Sequence, residues 1–307
     1  MKKFLIVSPG YNPINGGAIA LHKLCHLINQ SGGEAYLHPT ENNFEINKFN
    51  YHKILYKMLK DQIRSSYRTY KLNPAFNTPL LKNSDVVKNS DEWVTVYPEI
   101  TFGNPLNSKN VVRWLLHNPG FHTKKIYYSP RELYFKFNSA IVNFNFPGST
   151  TSHNELKVIH YPTEHYNLNN TNQHRSGTAY CLRKGINKKI IHDLKNSILI
   201  DGLDHASVAN ILKNVKTFIS YDTYTAYSIF AVLCGCESVV VPDDGISEEQ
   251  WYPNSSDRYG IAYGFENIDK AKKTKHLVLN HIIEEEKNSE KNVQTFIKEC
   301  NTFFSSK

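Results

Sequence analysis

The sequence predicts an α/β protein made of two Rossmann-like domains in succession, and three observations predict it. The chain has 307 residues, enough to bury two cores of about 120–150 residues each. Short β-branched and aromatic runs alternate with stretches of helical period in both halves, the pattern of parallel sheets covered by helices. Residues 216–242, KTFISYDTYTAYSIFAVLCGCESVVVP, read as strand, polar turn, helix, glycine turn and strand. That is a parallel crossover unit, and in such sheets ligands bind outside the carboxyl ends of the strands.

Composition narrows the functional classes. Thirty-six Lys and Arg against 28 Asp and Glu give a formal net charge of +8, which suits nucleic acid, anionic lipid or phosphorylated ligands. No nucleic-acid-binding module and no concentrated basic stripe is visible, so nucleic acid is not an expected partner. No apolar run approaches the roughly 18 residues that read as a membrane span. The apolar part of MKKFLIVSPG is too short for a signal peptide and reads as a first strand. Cys25, Cys181, Cys234, Cys236 and Cys300 form neither an even framework nor a CxxC pair. They are expected reduced, in a cytoplasmic protein.

The first half opens strand, loop, helix, strand. FLIVS is the first strand. A helix begins near Gly17, with Ala18, Leu21, Leu24, Cys25 and Ile28 at spacings of three and four, and Ser31-Gly32-Gly33 ends it. Ala35 to Leu37 is the second strand. Gly16 and Gly17 therefore stand at a loop–helix junction, where a ligand can approach the backbone closely. The pattern is not GxGxxG and no acid ends the second strand, which disfavours a dinucleotide site. Residues 40–90, rich in Asn, Lys and Tyr, are expected to hold short helices or an insertion.

WVTVYPEI (93–100) and VVRWLLH (111–117) read as further strands. Their ends, Pro98-Glu99 and His117-Asn118-Pro119-Gly120, face the same sheet edge as the 9–17 loop. Glu99 and His117 are thus candidate catalytic groups, and Asn118 joins Gly16 and Gly17 as an acceptor-loop candidate. Within FHTKKIYYSPRELYFKF (121–137), SPREL reads as a helix start with Ser129 as N-cap and Pro130 at the first helical position. The same aromatic and basic mix also suits docking on a membrane surface. AIVNF (140–144) and Leu156 to His160 read as strands, and a polar stretch follows with a boundary near 162–175.

In the second half, TAYCLRKG (178–185) is a strand whose tip carries Arg183, Lys184 and Gly185. Two cations and a glycine can cradle a diphosphate: guanidinium and ammonium meet phosphate oxygens, and glycine lets a backbone N–H join. KKIIHDL reads as a short helix, SILIDGLDH as strand and loop, and SVANILKNV as a helix from Ser207. In the 216–242 unit, Ser220, Tyr221, Asp222, Thr223 and Thr225 lie at the strand end before a helix whose N–H groups point at any ligand there. Gly235 stops that helix in the left-handed conformation. Asp243-Asp244-Gly245 reads as a solvated turn rather than a metal site. A helix, a strand at Ile261 to Tyr263 and two closing helices complete the chain.

This order of elements, with these residues at the strand ends, resembles the GT-B glycosyltransferases. The pairing of WVTVYPEI with VVRWLLHNPG is similar to the bacterial surface-polysaccharide members. In many GT-B enzymes the second domain carries two acidic positions, the second opening a helix that reads E-A-M-A-x-G-x-P-V-V before a strand. Counting back from Gly235 places Asp222 on the first position and Phe230 on the second. The resemblance implies two domains facing a cleft: residues 1–162 on the acceptor side, 176–284 for the nucleotide sugar, and a closing helix, 285–307, crossing back to the first. It implies that Asp222 meets the donor sugar and that Arg183 and Lys184 hold its diphosphate. Ribose recognition must then differ, because Phe230 cannot do a carboxylate's work.

The expected reaction is transfer of a sugar from a nucleotide-sugar donor to a glycan or lipid-linked acceptor in surface-polysaccharide synthesis. It is expected to need no metal or other cofactor, and to run in the cytoplasm, with peripheral association at the inner face of the membrane. The departing phosphate needs fixed positive charge, and an inverting enzyme also needs a base near the acceptor: Glu99, His117 or the Asp204-His205 pair. A retaining enzyme needs none. The alternatives are a non-catalytic sugar- or nucleotide-binding protein and a sugar-nucleotide epimerase of GT-B shape.

Overall fold

The computed structural model describes residues 1–39 and 70–305. The chain divides into two compact units, Met1–Ile159 with Asn288–Lys307, and His160–Lys287. Each is a parallel sheet with flanking helices, so the chain holds the two Rossmann-like α/β units that the sequence predicts.

The first unit contains β1 (Lys3–Ser8), α1 (Gly16–Gln30), β2 (Ala35–Pro39), β3 (Trp93–Pro98), β4 (Asn110–Leu115), β5 (Leu133–Lys136) and β6 (Thr150–Thr151). Sheet order is β2-β1-β3-β4-β5-β6, and every pairing is parallel. Both faces are buried. Phe4, Ile6, Val96, Val112 and Trp114 share one core with Leu21, Leu24 and Ile28 of α1. Leu5, Val7, Tyr97 and Val111 form a second core on the other face. Strands covered on both sides read as continuous apolar runs, which is why they were visible in the sequence.

Several local expectations fail in this unit. SPREL does not open a helix. Glu132 does reach back, its Oε1 accepting from the Ser129 N–H at 3.0 Å, as in a capping box. Arg131, however, takes φ +67°, a left-handed step that no helix continues, and the chain turns into β5. Glu132 is held by Arg113 in the middle of β4, which donates to it through Nε at 2.9 Å and through a second guanidinium nitrogen at 2.6 Å. Both side chains are essentially unexposed. AIVNF is irregular: Val142 is exposed and donates its N–H to Asn118 Oδ1 at 2.9 Å. Leu156 to His160 forms no ladder, although Leu156 and Val158 are core residues. Part of the expected insertion at 40–90, residues 40–69, lies outside the described residues.

The second unit contains β7 (Thr178–Cys181), β8 (Ser197–Leu199), α2 (His205–Asn214), β9 (Thr217–Ser220), α3 (Tyr227–Leu233), β10 (Glu237–Val240), α4 (Glu248–Trp251), β11 (Ile261–Tyr263) and α5 (Ile268–Thr274). It also holds the start of α6 (Val278–Ser305), whose residues from Asn288 onward count with the first unit. Sheet order is β11-β10-β9-β7-β8, again wholly parallel. Gly235 ends α3 at φ +91°, with the Cys236 N–H donating to Ala231 O at 2.8 Å, as the sequence predicts. KKIIHDL is not helical. Ile191 and Leu194 are half exposed, and the Ile191 N–H donates to the Tyr221 hydroxyl at 2.9 Å instead of to a helical carbonyl. All five cysteines are buried and unbridged. Among the described residues no helix is long and apolar enough to cross a membrane.

Candidate functional site

Both sheets share one topological feature. In the second unit the chain goes from β7 to β8 on one side, then returns to place β9 on the other side of β7. Crossovers leave in opposite directions there, and the carboxyl ends of β7 and β9 at such a point are the position where open α/β sheets bind ligands. Arg183 follows β7 and Asp222 follows β9, so the two residues flank this switch point.

The backbone at the β7 tip is strained. Arg183 lies in a short 3₁₀ turn, Arg183–Gly185, at φ +43°. Asp201, just past β8, holds the turn: its Oδ2 accepts the Leu182 and Arg183 N–H groups at 3.1 and 2.9 Å. Gly185 fits the β7 tip against the β9 tip, for a Cβ there would stand 1.9 Å from Tyr221 O. The Arg183 guanidinium lies over the Tyr227 ring, 5.0 Å from its centroid. Its Nε approaches Asp222 Oδ2 at 3.8 Å, with the arginine side chain 31% exposed and the aspartate 3%. Lys184 is exposed. Burial pushes the Tyr227 phenol above its usual pKa, against the opposing pull of Arg183, so the ring stays neutral under the cation.

The hydroxyl-rich loop after β9 is largely engaged with itself. Ser220 Oγ donates to Asp222 O at 2.6 Å. Tyr221 is fully buried, its hydroxyl 2.6 Å from His192 Nδ1. Thr223 Oγ1 donates to Asp243 Oδ2 at 2.8 Å, and Thr225 Oγ1 accepts the Tyr227 N–H at 3.4 Å. Asp222 Oδ1 accepts the Tyr224 N–H at 3.2 Å. These bonds fix the loop that presents Asp222. Asp243 also pairs with Lys188 at 2.7 Å, and Lys188 donates to Val241 O at 2.7 Å. Acid and base thus alternate along the sheet edge, from Asp201 through Arg183 and Asp222 to Asp243 with Lys188.

Asp201, Lys188 and Tyr227 were not singled out in the sequence, and Asp243 reads there as part of a solvated turn. The available signal for Asp201 was an acid before glycine at the end of a strand, and its weight depends on strand order. Asp201 Oδ1 is buried with no hydrogen-bond partner among the described residues. The second acidic position of the GT-B pattern, Phe230, stacks on Tyr166 with centroids 4.1 Å apart. It offers an apolar face and no acceptor. Of the Asp204-His205 pair, Asp204 caps α2 by accepting the Ser207 N–H at 3.0 Å, and His205 Nδ1 lies 2.6 Å from the Tyr166 hydroxyl.

The first unit has its own switch point, between the ends of β1 and β3. Glu99 directly follows β3 and is buried. Its Oε2 accepts the Leu116 N–H at 3.1 Å, and its carbonyl accepts the Tyr128 hydroxyl at 2.8 Å. His117 follows β4. Its Nδ1 accepts the Asn118 N–H at 2.8 Å, and its ring stacks on Phe121 at 4.1 Å. With Nδ1 accepting, the neutral ring carries its proton on Nε2 and is a donor there. Asn15 caps α1 by accepting the Ala18 N–H at 3.1 Å. A Cβ on Gly17 would lie 3.7 Å from Leu116, and one on Gly16 would meet nothing within 4 Å. The helix start, Glu99 and the His117-Asn118 turn are therefore gathered at one edge.

No protein-family model matches the chain, and no curated protein matches it. Among solved structures, T4 phage BGT in complex with its UDP-glucose substrate aligns with 99% of this chain and 98% of its own, at 10% identity and a TM-score of 0.40. The spinosyn forosaminyltransferase SpnP aligns over 98% and 95%, at 10% identity and 0.33. SsfS6, a glycosyltransferase of Streptomyces sp. SF2575, aligns over 98% and 96%, at 9% identity and 0.31. Likeness at this level assigns neither substrate nor residue roles.

Proposed function

We propose that the chain is a glycosyltransferase that takes a sugar from a nucleotide-sugar donor bound at the switch point of the second unit. Arg183 and Lys184 bind the diphosphate and stabilise the negative charge of the leaving group. Asp222 meets the hydroxyls of the transferred sugar. Asp201 takes the ribose, for an acid at the end of the second strand is the ribose ligand of dinucleotide-binding sheets, and Phe230 has left the usual carboxylate position empty of charge. The first unit receives the acceptor, a glycan or lipid-linked glycan of surface-polysaccharide synthesis, beside Gly16, Gly17 and Asn118. Glu99 is the base if the reaction inverts, and His117 donates a hydrogen bond. Protein cations serve the phosphate, so no metal takes part in transfer.

The observation that carries this reading is the Arg183–Asp222 pair on either side of the switch point, with the arginine in a strained backbone. Strain of this kind gathers where a ligand is held. The test is a calorimetric panel of UDP-, GDP-, CMP- and TDP-sugars. One class should bind, Arg183→Ala and Asp201→Asn should each weaken it about tenfold or more, and Asp222→Asn should fold normally but lose transfer by about 100-fold or more. If no sugar nucleotide binds the wild-type chain, the reading fails. Binding without turnover on any glycan or lipid-linked acceptor points to the binding protein, and interconversion of the donor sugar points to the epimerase.

A further inference from the structure

We propose that Asp257, His281 and Glu285 form a site for one divalent transition-metal ion, Zn²⁺ foremost, that pins the start of α6 to the turn before β11. One donor atom from each side chain lies within 4.8 Å of the other two. His281 and Glu285 are four residues apart on α6 and so share one face of it. Asp257 comes from a separate element, the 3₁₀ turn Ser255–Arg258. His281 Nε2 and Asp257 Oδ1 are 3.8 Å apart. That is too long for a hydrogen bond. It is close to the roughly 3.3 Å between ligand atoms on a tetrahedral ion with bonds of about 2.0–2.1 Å, so a small closure of the side chains seats the metal.

Charge and chemistry agree with this. Two carboxylates carry a charge that a dication balances. The neighbouring Arg258 is turned to Glu248 and Glu249, at 3.4 and 3.5 Å. Asp257 and His281 are 9% and 19% exposed, which leaves an open side for a water as fourth ligand. One imidazole with two carboxylates suits Zn²⁺ better than the all-oxygen sets that Mg²⁺ and Ca²⁺ prefer. Tyr259 stands edge-on to His281 at 5.7 Å and orients the ring. The site lies at the amino edge of the second sheet, because the Asp257 turn leads into β11 through Gly260, whose N–H donates to Thr274 Oγ1 at 3.0 Å. The switch point is at the carboxyl edge. The ion is therefore structural, and the proposal does not depend on glycosyl transfer.

The test uses the full chain stripped with a chelator. Titrated with Co²⁺, it should show the intense visible d–d absorption of a low-coordinate site, saturating at one equivalent and displaced by Zn²⁺. Zn²⁺ should also raise the unfolding temperature. His281→Gln should lose at least about 100-fold in Zn²⁺ affinity, since even outer-shell losses cost 10- to 100-fold, and should unfold at the same temperature with or without the ion. Asp257→Asn is the second variant if the first does not fold. Failure of the wild type to develop the cobalt spectrum, or undiminished one-to-one binding in both variants, overturns the proposal.

Discussion

Arg183 holds φ +43°, a conformation that costs a residue with a Cβ about 1–2 kcal/mol and that glycine adopts freely. The N–H groups that tie the turn to Asp201 belong to the backbone, so glycine can make the same turn, but it gives up the guanidinium over Tyr227 and beside the buried Asp222. Relief of strain and loss of these contacts oppose each other, so Arg183→Gly should change stability by no more than about 1 kcal/mol while weakening nucleotide-sugar binding about 10- to 100-fold. Urea unfolding and calorimetry on the same preparation check both halves, and a variant that binds as well as the wild type would detach the guanidinium from the ligand. One buried and one half-buried histidine, His22 and His192, give a second prediction. Burial lowers the pKa of His22 below 6.5, against the smaller opposing effect of its bond to Pro9 O, and burial lowers that of His192. Below pH 6.5 the unfolded chain takes up protons that the folded chain refuses. The stability contribution is complete above that pH and is lost as pH falls through 6.5, at no more than about 1.4 kcal/mol per pH unit for each group. Unfolding free energies measured from pH 8 to 5 should be level above pH 7 and decline below 6.5, with a shallower decline in His192→Gln.

At the scale of elements, what could be read from the sequence depended on how local the decisive contact was. α1, β9, α3 and β10 were legible because the period, the cap and the glycine stop all lie within the element. SPREL was misread because its fate is settled by Arg113, a cation in the middle of an otherwise apolar strand; that single residue was the clue to a buried partner downstream. KKIIHDL was misread because, of its apolar residues, Ile190 packs against a core while Ile191 and Leu194 stay half exposed, and its backbone answers to Tyr221 and not to its own turns. The cationic tip of β7 was legible as composition, whereas Asp201 became significant only once β8, β7 and β9 were known to be adjacent. Arg175 shows the same dependence on distant contacts. It donates to Leu212 O near the end of α2 and to Cys234 O at the end of α3, the latter at 2.7 Å. One guanidinium thus serves two helix C-termini, where positive charge is favoured. Arg175→Ala leaves both carbonyls without that donor and should cost about 2–3 kcal/mol. Chemical denaturation measures the loss, and amide exchange should quicken in the last turns of both helices; unchanged exchange there would show that the arginine is dispensable.

At the scale of the molecule, the two units repeat one plan: a first strand with its second on one side and its third on the other, with Gly16, Gly17 and Glu99 beyond the first and third strands of one unit and Arg183 and Asp222 beyond those of the other. They differ in what completes the core. Val293, Phe296, Ile297, Cys300 and Phe304 from the last part of the chain belong to the core of the first unit. Phe296 packs its ring against Phe4 and Phe135, with centroids 5.3 and 5.1 Å apart. Asn301 accepts the Lys2 N–H at 2.8 Å, so the segment is fastened to the start of β1 as well as to the sheet face. Burying side chains of this kind is worth about 1.5–3 kcal/mol each, and the sum rivals the whole stability of a domain, about 5–15 kcal/mol. A chain ending at Lys287 should therefore lose the first unit while keeping the second, whose core extends no further along α6 than Ile282. Limited proteolysis should then digest residues before 160 and leave a resistant fragment of the second unit, with the near-ultraviolet signal of Trp93 and Trp114 lost and that of Trp251 retained. Protection of β1 to β5 in the truncated chain would mean that α1 alone suffices to cover the sheet, and that the closing helix is an accessory to the first core and not part of it.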